Sequence, residues 1–401
     1  FRLAVTRFGN AVVGIQPARG YNIDPKATYH DPDLVPPHHY FAFYIWLREV
    51  FGIHAVVHLG KHGNLEWLPG KALALSEDCF PEAVLGPLPN IYPFIVNDPG
   101  EGAQAKRRTS AVIVDHLTPP LARAESHGVA AELEVLLDEY YLAQGVDPRR
   151  LKALTRDILE AATRHGLDRD IGITGEMDEE TRLARLDAHL CDLKEMQIRD
   201  GLHVLGAAPQ GTLLDALLVA LTRVPRGEGP AHEGITRALA RDLGLEGFDP
   251  LACAYELPWT GPRPERLATL SDSPWRTCGD TVERLELLAE RLVIEARAPE
   301  GFASTAAVLE EIESRIRPAV ASSGEAETRG VLAGLSGRFV APGPSGAPTR
   351  GRPDVLPTGR NFYSVDVRAV PTETSWRIGK ASAERLVERH FQEEGDYPAA
   401  L

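Results

Sequence analysis

Residues 91–116 read IYPFIVNDPGEGAQAKRRTSAVIVDH, and their two apolar runs decide the fold. The runs Ile91–Val96 and Ala111–Val114 are short, rich in Val and Ile, and bounded by turn residues. The earlier run His54–Leu59 has the same character. Apolar runs this short between turn signals are typical of buried strands. We therefore predict an α/β fold with a parallel-sheet core in residues 1–128.

The character of the sequence changes after this first segment. Between 129 and 330, leucines recur at helical spacing, as in Leu213–Leu221 and Leu285–Leu292, with charged residues at most other positions. Such stripes predict a mainly helical subdomain, inserted into the α/β core. The last segment, 331–401, is rich in Gly, Pro and Arg and ends in an amphipathic pattern from about Thr374 to Glu394. We expect a loop and a closing helix that pack back on the first segment.

Charge is spread unevenly along the chain. The formal net charge is −14, which argues against a nucleic-acid partner. Residues 1–128 carry 11 Lys and Arg against 12 Asp and Glu, and they hold 8 of the 13 histidines. Residues 129–401 carry 32 Lys and Arg against 45 Asp and Glu. The acidity therefore lies outside the histidine-rich segment.

Neither a membrane span nor a disulfide framework is predicted. The longest apolar stretch, Tyr40–Leu47, is far shorter than the ~20 residues that a spanning helix needs. The four cysteines are scattered and form no C-x-x-C pair, so a zinc finger is also not indicated. We expect a cytoplasmic protein with reduced thiols.

Residues 54–71, HAVVHLGKHGNLEWLPGK, form the most informative constellation. A predicted strand runs into a glycine-punctuated loop that carries His58, His62 and Glu66. Imidazole and carboxylate groups suit divalent ions such as Co, Ni and Zn, so these three residues are candidate metal ligands. The same residues are candidates for acid–base catalysis. The alternative is that one or both histidines only hydrogen-bond the turn.

The end of this stretch partly matches the sequence pattern of a phosphate-binding loop. Its last residues, PGKA, have Leu65 five positions before Gly70, and Ala72 after Lys71. The phosphate loop requires G-x-x-x-x-G-K followed by Ser or Thr. We therefore predict that this chain does not bind ATP.

A second group of candidate site residues lies just before the last predicted strand and at its end. Glu101 and the basic triplet Lys106, Arg107 and Arg108 come before it, and His116 follows its end. A guanidinium group matches the two oxygens of a carboxylate, so the triplet is a candidate clamp for an acidic ligand. The alternatives are a solvated basic face and a histidine that fills a polar corner.

Several stretches resemble the family of large, tetrapyrrole-binding subunits of ATP-dependent cobalt and magnesium chelatases. They are HLGKHGNLEWLPGK, LPNIYPFIVNDPGEGAQAKRR, VIVDHLTPP, IRDGLHVLG and LPTGRNFYSVDVRAVPT. LGKHG, PGEGAQ and VDHLTPP look like the cobalt branch. Since such subunits are much longer than this chain, the resemblance implies a fragment.

The resemblance also implies a substrate and partners. In the cobalt branch, Co²⁺ is inserted into hydrogenobyrinic acid a,c-diamide for cobalamin biosynthesis, while separate AAA+ subunits hydrolyse ATP-Mg. Because this macrocycle carries carboxylates, the resemblance gives a role in substrate binding to the triplet 106–108, Lys71 and Arg360. Glu101 and Asn361 are further candidates for substrate binding. His58, His62 and Glu66 become candidates for metal delivery or proton acceptance, with His116 and Glu101 as second candidates.

Three other functions remain open. The magnesium branch inserts Mg²⁺ into protoporphyrin IX. A zinc-type hydrolase would use His58, His62 and a third ligand to activate water, with no flat cavity beside the metal. A pure docking role would use the acidic helical region as the face that binds the ATPase subunits.

Overall fold

The computed structural model describes most of the chain. The described residues are 2–20, 33–60, 62–119, 148–164, 202–254, 257–364 and 373–398, with single residues and short runs between 133 and 186. Residues 120–128 of the first predicted segment and parts of the predicted helical subdomain, 129–132 and 187–201 among them, lie outside the described residues.

A three-stranded parallel sheet forms the centre of the first segment. Its strands are β3 (Val56–Val57), β4 (Asn90–Ile95) and β5 (Val112–His116), in that order, following an antiparallel hairpin of β1 (Val5–Phe8) and β2 (Ala11–Gly14). The strands coincide with the three apolar runs of the sequence. The predicted α/β class with a parallel core is therefore confirmed.

Helices make up most of the remaining described structure. They are α1 (His38–Ile45), α2 (Phe80–Leu85), α3 (Pro99–Thr109), α4 (Pro148–Arg164), α5 (Thr212–Thr222), α6 (Ile235–Asp242), α7 (Glu265–Ala268), α8 (Cys278–Glu295), α9 (Ala303–Glu311), α10 (Arg317–Leu335) and α11 (Glu373–Glu394). None of the helices in the described ranges is long and apolar enough to cross a membrane.

Helix α3 is the crossover between β4 and β5, and it covers one face of the sheet. The Asp98 side chain accepts a hydrogen bond from the Glu101 N–H, and Pro99 occupies the first turn, where it loses no hydrogen bond. Ser110 ends the helix in the left-handed conformation. Ala105 is buried among the aromatic side chains of β4, so the helix lies directly on the sheet.

Helix α10 covers the opposite face through glycines. A Cβ on Gly330 would lie 2.8 Å from a methyl carbon of Val114, and one on Gly334 would lie 2.8 Å from Ile91 Cδ1. Distances this short are not tolerated, so only glycine allows the helix to approach so closely. Both faces of the sheet are therefore covered, as expected for parallel strands.

The apolar core of the helical region is continuous with the end of the sheet, because the same cluster contains Val96 and Leu117. The leucines of the two predicted stripes are almost all buried in one cluster: Leu217, Leu218, Leu221, Leu285, Leu288 and Leu292. The capping box at Thr277 and Asp280 starts α8. Burial of one leucine stripe is worth several kcal/mol at ~2 kcal/mol per side chain, so these stripes contribute substantially to the stability of the fold.

The loop after α10 returns to the sheet. Strands β6 (Pro342–Pro344) and β7 (Asn361–Tyr363) pair in parallel, and the Asp115 N–H donates to the Arg360 carbonyl at 2.9 Å. Residues Ser364–Leu401 form a separate compact unit whose described part is mainly α11.

Candidate active site

His62 and Glu101 form the centre of the candidate site. His62 lies in the loop after β3, and its Nδ1 is 2.9 Å from Glu101 Oε2 in the first turn of α3. The Gly63 N–H donates to Glu101 Oε1 at 2.6 Å, and the Tyr92 hydroxyl donates to the same oxygen at 3.3 Å. The buried Glu101 carboxylate is thus held in place from two elements, and it holds the His62 loop on the helix.

Asp98 completes a group of three possible ligands. One atom each from His62, Asp98 and Glu101 lie within 4.8 Å of one another. His62 and Asp98 are half-buried, whereas Glu101 is buried, so the group has an open side and a closed side. One imidazole and two carboxylates are suitable ligands for a borderline divalent cation. Sequence reasoning missed Asp98, although D-P-x-E is the signature of a helix start.

Glu66 is a buried carboxyl group next to these three residues. It sits in a 3₁₀ turn, Leu65–Trp67, and is 3% exposed. Its Oε1 has no hydrogen-bond partner within the described ranges. Burial, reinforced by the charge of Glu101, raises the pKa of Glu66 to about 8. Burial also raises the pKa of Glu101, against the opposing effect of His62.

Gly63 is what lets the two carboxylates and Tyr92 converge. A Cβ at this position would lie 2.2 Å from Glu66 Oε1 and 2.6 Å from the Tyr92 hydroxyl oxygen. Any larger residue would therefore push the carboxylate or the loop away. The glycines of the sequence motif serve close packing of polar groups here.

His58 occupies a different environment from His62. Its Nδ1 lies 2.8 Å from Asn90 Oδ1, and its Nε2 lies 2.9 Å from the Tyr44 hydroxyl. Since Oδ1 only accepts, Nδ1 carries the proton and Nε2 accepts from the tyrosine. Burial lowers the pKa of His58, so the ring is neutral. The structure thus gives both nitrogens of this predicted ligand to protein partners, and the three-ligand group forms without it.

The three side chains of the basic triplet have different contacts. Arg108 donates to three backbone carbonyls of the 65–71 loop: Nη1 to Glu66 O at 2.7 Å, Nη2 to Leu68 O at 2.7 Å, and Nε to Lys71 O at 3.2 Å. Lys106 donates to Asn361 Oδ1. Arg107 is half-buried, and burial lowers its pKa. Arg108 and Lys106 are therefore engaged within the protein, whereas Lys71 is exposed.

Arg360 and Asn361 lie beside Asp115 at the end of the sheet. Asp115 Oδ1 accepts from the N–H of Gly359 at 2.8 Å and from that of Arg360 at 2.7 Å. The Arg360 side chain donates to the Asp354 carbonyl at 3.2 Å. Next along the chain, Phe362 packs against Gly102 of α3. The 356–363 loop therefore lies on the same helix that carries Glu101.

A second polar cluster surrounds His116. Its ring stacks on His203, with 5.2 Å between centroids and 15° between planes. His203 Nε2 lies 2.8 Å from Oε2 of the buried Glu327. Sequence reasoning selected His116 but not His203 or Glu327, because a lone histidine and a lone glutamate in helical surroundings carry no recognisable spacing.

Comparison with known proteins identifies the family. The family model described as CobN/Magnesium Chelatase matches residues 1–401. The chain belongs to the CobN/magnesium chelatase family. The motifs that suggested this family therefore gave the right assignment.

The sequence identities differ between the cobalt and magnesium branches of the family. The chain is 62% identical over its full length to aerobic cobaltochelatase subunit CobN of Sinorhizobium sp, and 58% identical over 98% of its length to that of Pseudomonas aeruginosa. It is 28% identical over 98% of its length to a magnesium-chelatase subunit of Chlorobaculum parvum. The cobalt relatives are thus much more similar.

A solved structure agrees with these relatives. The catalytic subunit of cobaltochelatase from Mycobacterium tuberculosis is 42% identical over 98% of this chain, with a TM-score of 0.56. The chain spans about a third of the length of these relatives: 33% of the Sinorhizobium protein, 32% of the Pseudomonas protein and 33% of the Mycobacterium chain.

Proposed function

We propose that this chain is the metal-handling part of a cobaltochelatase large subunit, which inserts Co²⁺ into hydrogenobyrinic acid a,c-diamide in cobalamin biosynthesis. The observation that carries the proposal is the group of His62, Asp98 and Glu101 with the buried Glu66 behind it. Identity of 58–62% to cobaltochelatase subunits over nearly the whole chain supports cobalt as the metal.

The three-ligand group would receive the metal ion before insertion. Aqueous Co²⁺ must exchange water for other ligands, and His62 and Asp98 can each offer a lone pair to the cation. Glu101 adds a second negative charge from the closed side, where Gly63 and Tyr92 hold its carboxylate. The protein thereby lowers the cost of removing water from the cation.

Insertion also requires a proton acceptor. When the metal enters the ring, a nitrogen–hydrogen bond breaks, its electron pair forms the bond to the metal, and the proton must leave. Carboxylates and imidazoles close to the metal are the available bases. Glu66 is suitably placed, because its Oε1 has no hydrogen-bond partner in the described part of the chain and lies against the Gly63 backbone. Burial raises its pKa to about 8, and a divalent cation in the neighbouring group would favour the carboxylate form that accepts the proton.

The cationic side chains divide into those that hold the site and those that meet substrate. Arg108, Lys106 and Arg360 donate to protein oxygens, so we assign them, with Asn361, to holding the loops around the site. We assign the exposed Lys71 to the carboxylates of the macrocycle, and we propose the half-buried Arg107 as a second contact because the family resemblance gives it that role. Lys71 is exposed and follows directly on the loop that carries Glu66.

Energy for insertion would come from partner subunits. We propose that AAA+ partners bind and hydrolyse ATP-Mg, because the 63–71 stretch of this chain departs from the phosphate-loop pattern at Leu65 and Ala72. A cytoplasmic location, where cobalamin precursors and ATP are available, completes the proposal.

Absorption spectroscopy tests the function directly. The full-length subunit that contains this chain, combined with its partner subunits, Co²⁺, ATP-Mg and the metal-free macrocycle, should convert the spectrum of the free ring to that of the cobalt complex. Mg²⁺ with protoporphyrin IX should give no such change. Insertion of Mg²⁺ but not Co²⁺ would assign the chain to the other branch.

A further inference from the structure

His116 ends β5 with its tautomer fixed. Its Nδ1 lies 2.9 Å from the carbonyl of Leu117, and since a carbonyl only accepts, Nδ1 carries the proton. Nε2 therefore carries the lone pair. The ring is half-buried, so it keeps an open side. A neutral imidazole fixed in this way is prepared to accept a proton.

A complete hydrogen-bond network supports the neighbouring ring. Glu327 in α10 is fully buried, and each of its oxygens receives two hydrogen bonds: Oε1 from the Leu117 N–H at 3.0 Å and the Thr358 hydroxyl at 2.7 Å, and Oε2 from His203 at 2.8 Å and the Gly206 N–H at 2.9 Å. Although burial favours the neutral acid, these bonds hold the pKa of Glu327 below its usual value. Glu327 is therefore a carboxylate.

This carboxylate acts on His116 through space. Burial lowers the pKa of His116, and the neighbouring His203 lowers it further, whereas the charge of Glu327 raises it. His203 and Glu327 are the two titratable groups that influence His116 from the elements packed against it within the described structure. A proton arriving on His116 would thus be stabilised by the buried negative charge of Glu327.

The position of His116 relates it to the metal-binding group. In the parallel sheet, His116 lies opposite Ile95, the last residue of β4. The chain reaches Asp98 within one turn, where the Asp98 N–H points to the Ile95 carbonyl. The carboxyl ends of neighbouring parallel strands form the edge at which α/β proteins bind ligands. His116 and Asp98 lie at this edge of β5 and β4.

We propose that His116 is a second proton acceptor in metal insertion and that Glu327, through its buried charge, is its positioning residue. This inference rests on the proposed function. The ring nitrogen–hydrogen bond breaks, its electron pair binds the metal, and the proton moves to Nε2 of His116. The resulting imidazolium passes the proton to solvent on its open side.

The experiment compares His116→Gln with His38→Gln in the full-length subunit with its partners. His38 is exposed in α1 and serves as the matched control. We expect His116→Gln to lower the single-turnover insertion rate by about 10²-fold, a typical loss for a proton-transfer group, with unchanged macrocycle affinity. The part of the acid limb of the pH profile that arises because the His116 imidazolium cannot accept a proton should disappear, while any part due to Glu66 remains. His38→Gln should change neither.

The Glu327→Gln variant tests whether Glu327 acts on His116 through its charge or has only a structural role. It keeps the hydrogen-bond acceptor at Oε1 but removes the charge, so the acid limb should move to lower pH. If this variant does not fold, the result for His116→Gln still tests whether His116 accepts the proton. An unchanged rate and acid limb in His116→Gln would overturn the inference, as would lost macrocycle binding with an unchanged maximal rate. Absence of insertion in the unsubstituted complex would instead refute the proposed function.

Discussion

The Nδ1 atom of His62 lies 2.9 Å from Oε2 of Glu101, a contact between the loop after β3 and the first turn of α3. It makes the position of the imidazole depend on a carboxylate that is 39 residues away in sequence. The same carboxylate is hydrogen bonded to the Gly63 N–H. The geometry of the site is therefore set by the position of α3 on the sheet.

Asp98→Asn should weaken Co²⁺ binding. Asparagine is as good a helix cap as aspartate, so α3 should start normally while the group loses one negative charge. We expect the dissociation constant for Co²⁺, measured by titration calorimetry, to rise at least ~10-fold, as for other losses at metal sites. Asp78→Asn, at an exposed position, is the control. Equal affinities of the two variants would argue against Asp98 as a ligand.

Gly63→Ala should damage both stability and activity. Its Cβ would lie 2.2 Å from Glu66 Oε1, and overpacking of this kind costs about 1–3 kcal/mol. Thermal unfolding and insertion rate both measure the effect. Gly379→Ala, where no heavy atom lies within 4 Å of the new Cβ, should be tolerated. A fully active, fully stable Gly63→Ala variant would show that the approach of the two carboxylates is unimportant.

Arg108→Lys should slow turnover without weakening macrocycle binding. The guanidinium reaches three carbonyls of the 65–71 loop, and an ammonium group cannot reproduce that fork. Loosening the loop should displace Glu66, and a displacement of ~1 Å costs about 10²-fold in rate. Arg291→Lys, on the exposed side of α8, is the control. A loss confined to macrocycle affinity would instead make Arg108 a substrate-binding residue.

Asp115→Asn should change how stability depends on pH. Burial raises the pKa of Asp115 to about 7, against hydrogen bonds from Arg360 and Gly359 that lower it. The folded pKa thus exceeds the unfolded value of ~3.9, so the protonated form stabilises the fold at low pH and this contribution disappears as pH rises towards 7. Asparagine stays neutral and keeps the acceptor for both N–H groups.

Urea unfolding at pH 5 and pH 8.5 measures this effect. Relative to the unsubstituted protein, Asp115→Asn should gain roughly 2–3 kcal/mol of unfolding free energy between the two pH values. Parallel pH dependence of the two proteins would mean that Asp115 titrates normally.

The sequence predicted the sheet well because its strands are buried on both faces. Ile91, Val114 and their neighbours form uninterrupted apolar runs, which only a covered parallel sheet requires. The leucine stripes of α5 and α8 were equally informative. Helix α3 was not predicted, since Gly100 and Gly102 lower helix propensity, and the close packing of Gly102 against Phe362 exists only in three dimensions.

The site was predicted in part. His62, Glu66 and Glu101 were selected from residue type, and the structure brings them together. His58 was grouped with His62 by residue type and proximity in sequence, but in the structure its ring is hydrogen bonded to Asn90 and Tyr44. Asp98 was missed although its D-P-x-E pattern marks a helix start, whereas His203 and Glu327 were missed because they lie 124 residues apart in the chain. Convergence of this kind depends on tertiary structure and leaves no periodic pattern.

The insertion rate of His62→Ala, measured beside macrocycle binding, tests the central claim most directly. Macrocycle affinity should come mainly from apolar contact and from cations such as Arg107, whereas metal transfer depends on one imidazole. We predict that His62→Ala binds the metal-free macrocycle normally and inserts Co²⁺ about 10²–10⁴-fold more slowly, while Arg107→Ala loses binding first. If His62→Ala lost macrocycle binding but kept its rate at saturating substrate, His62 would be a pocket residue and the account would be contradicted.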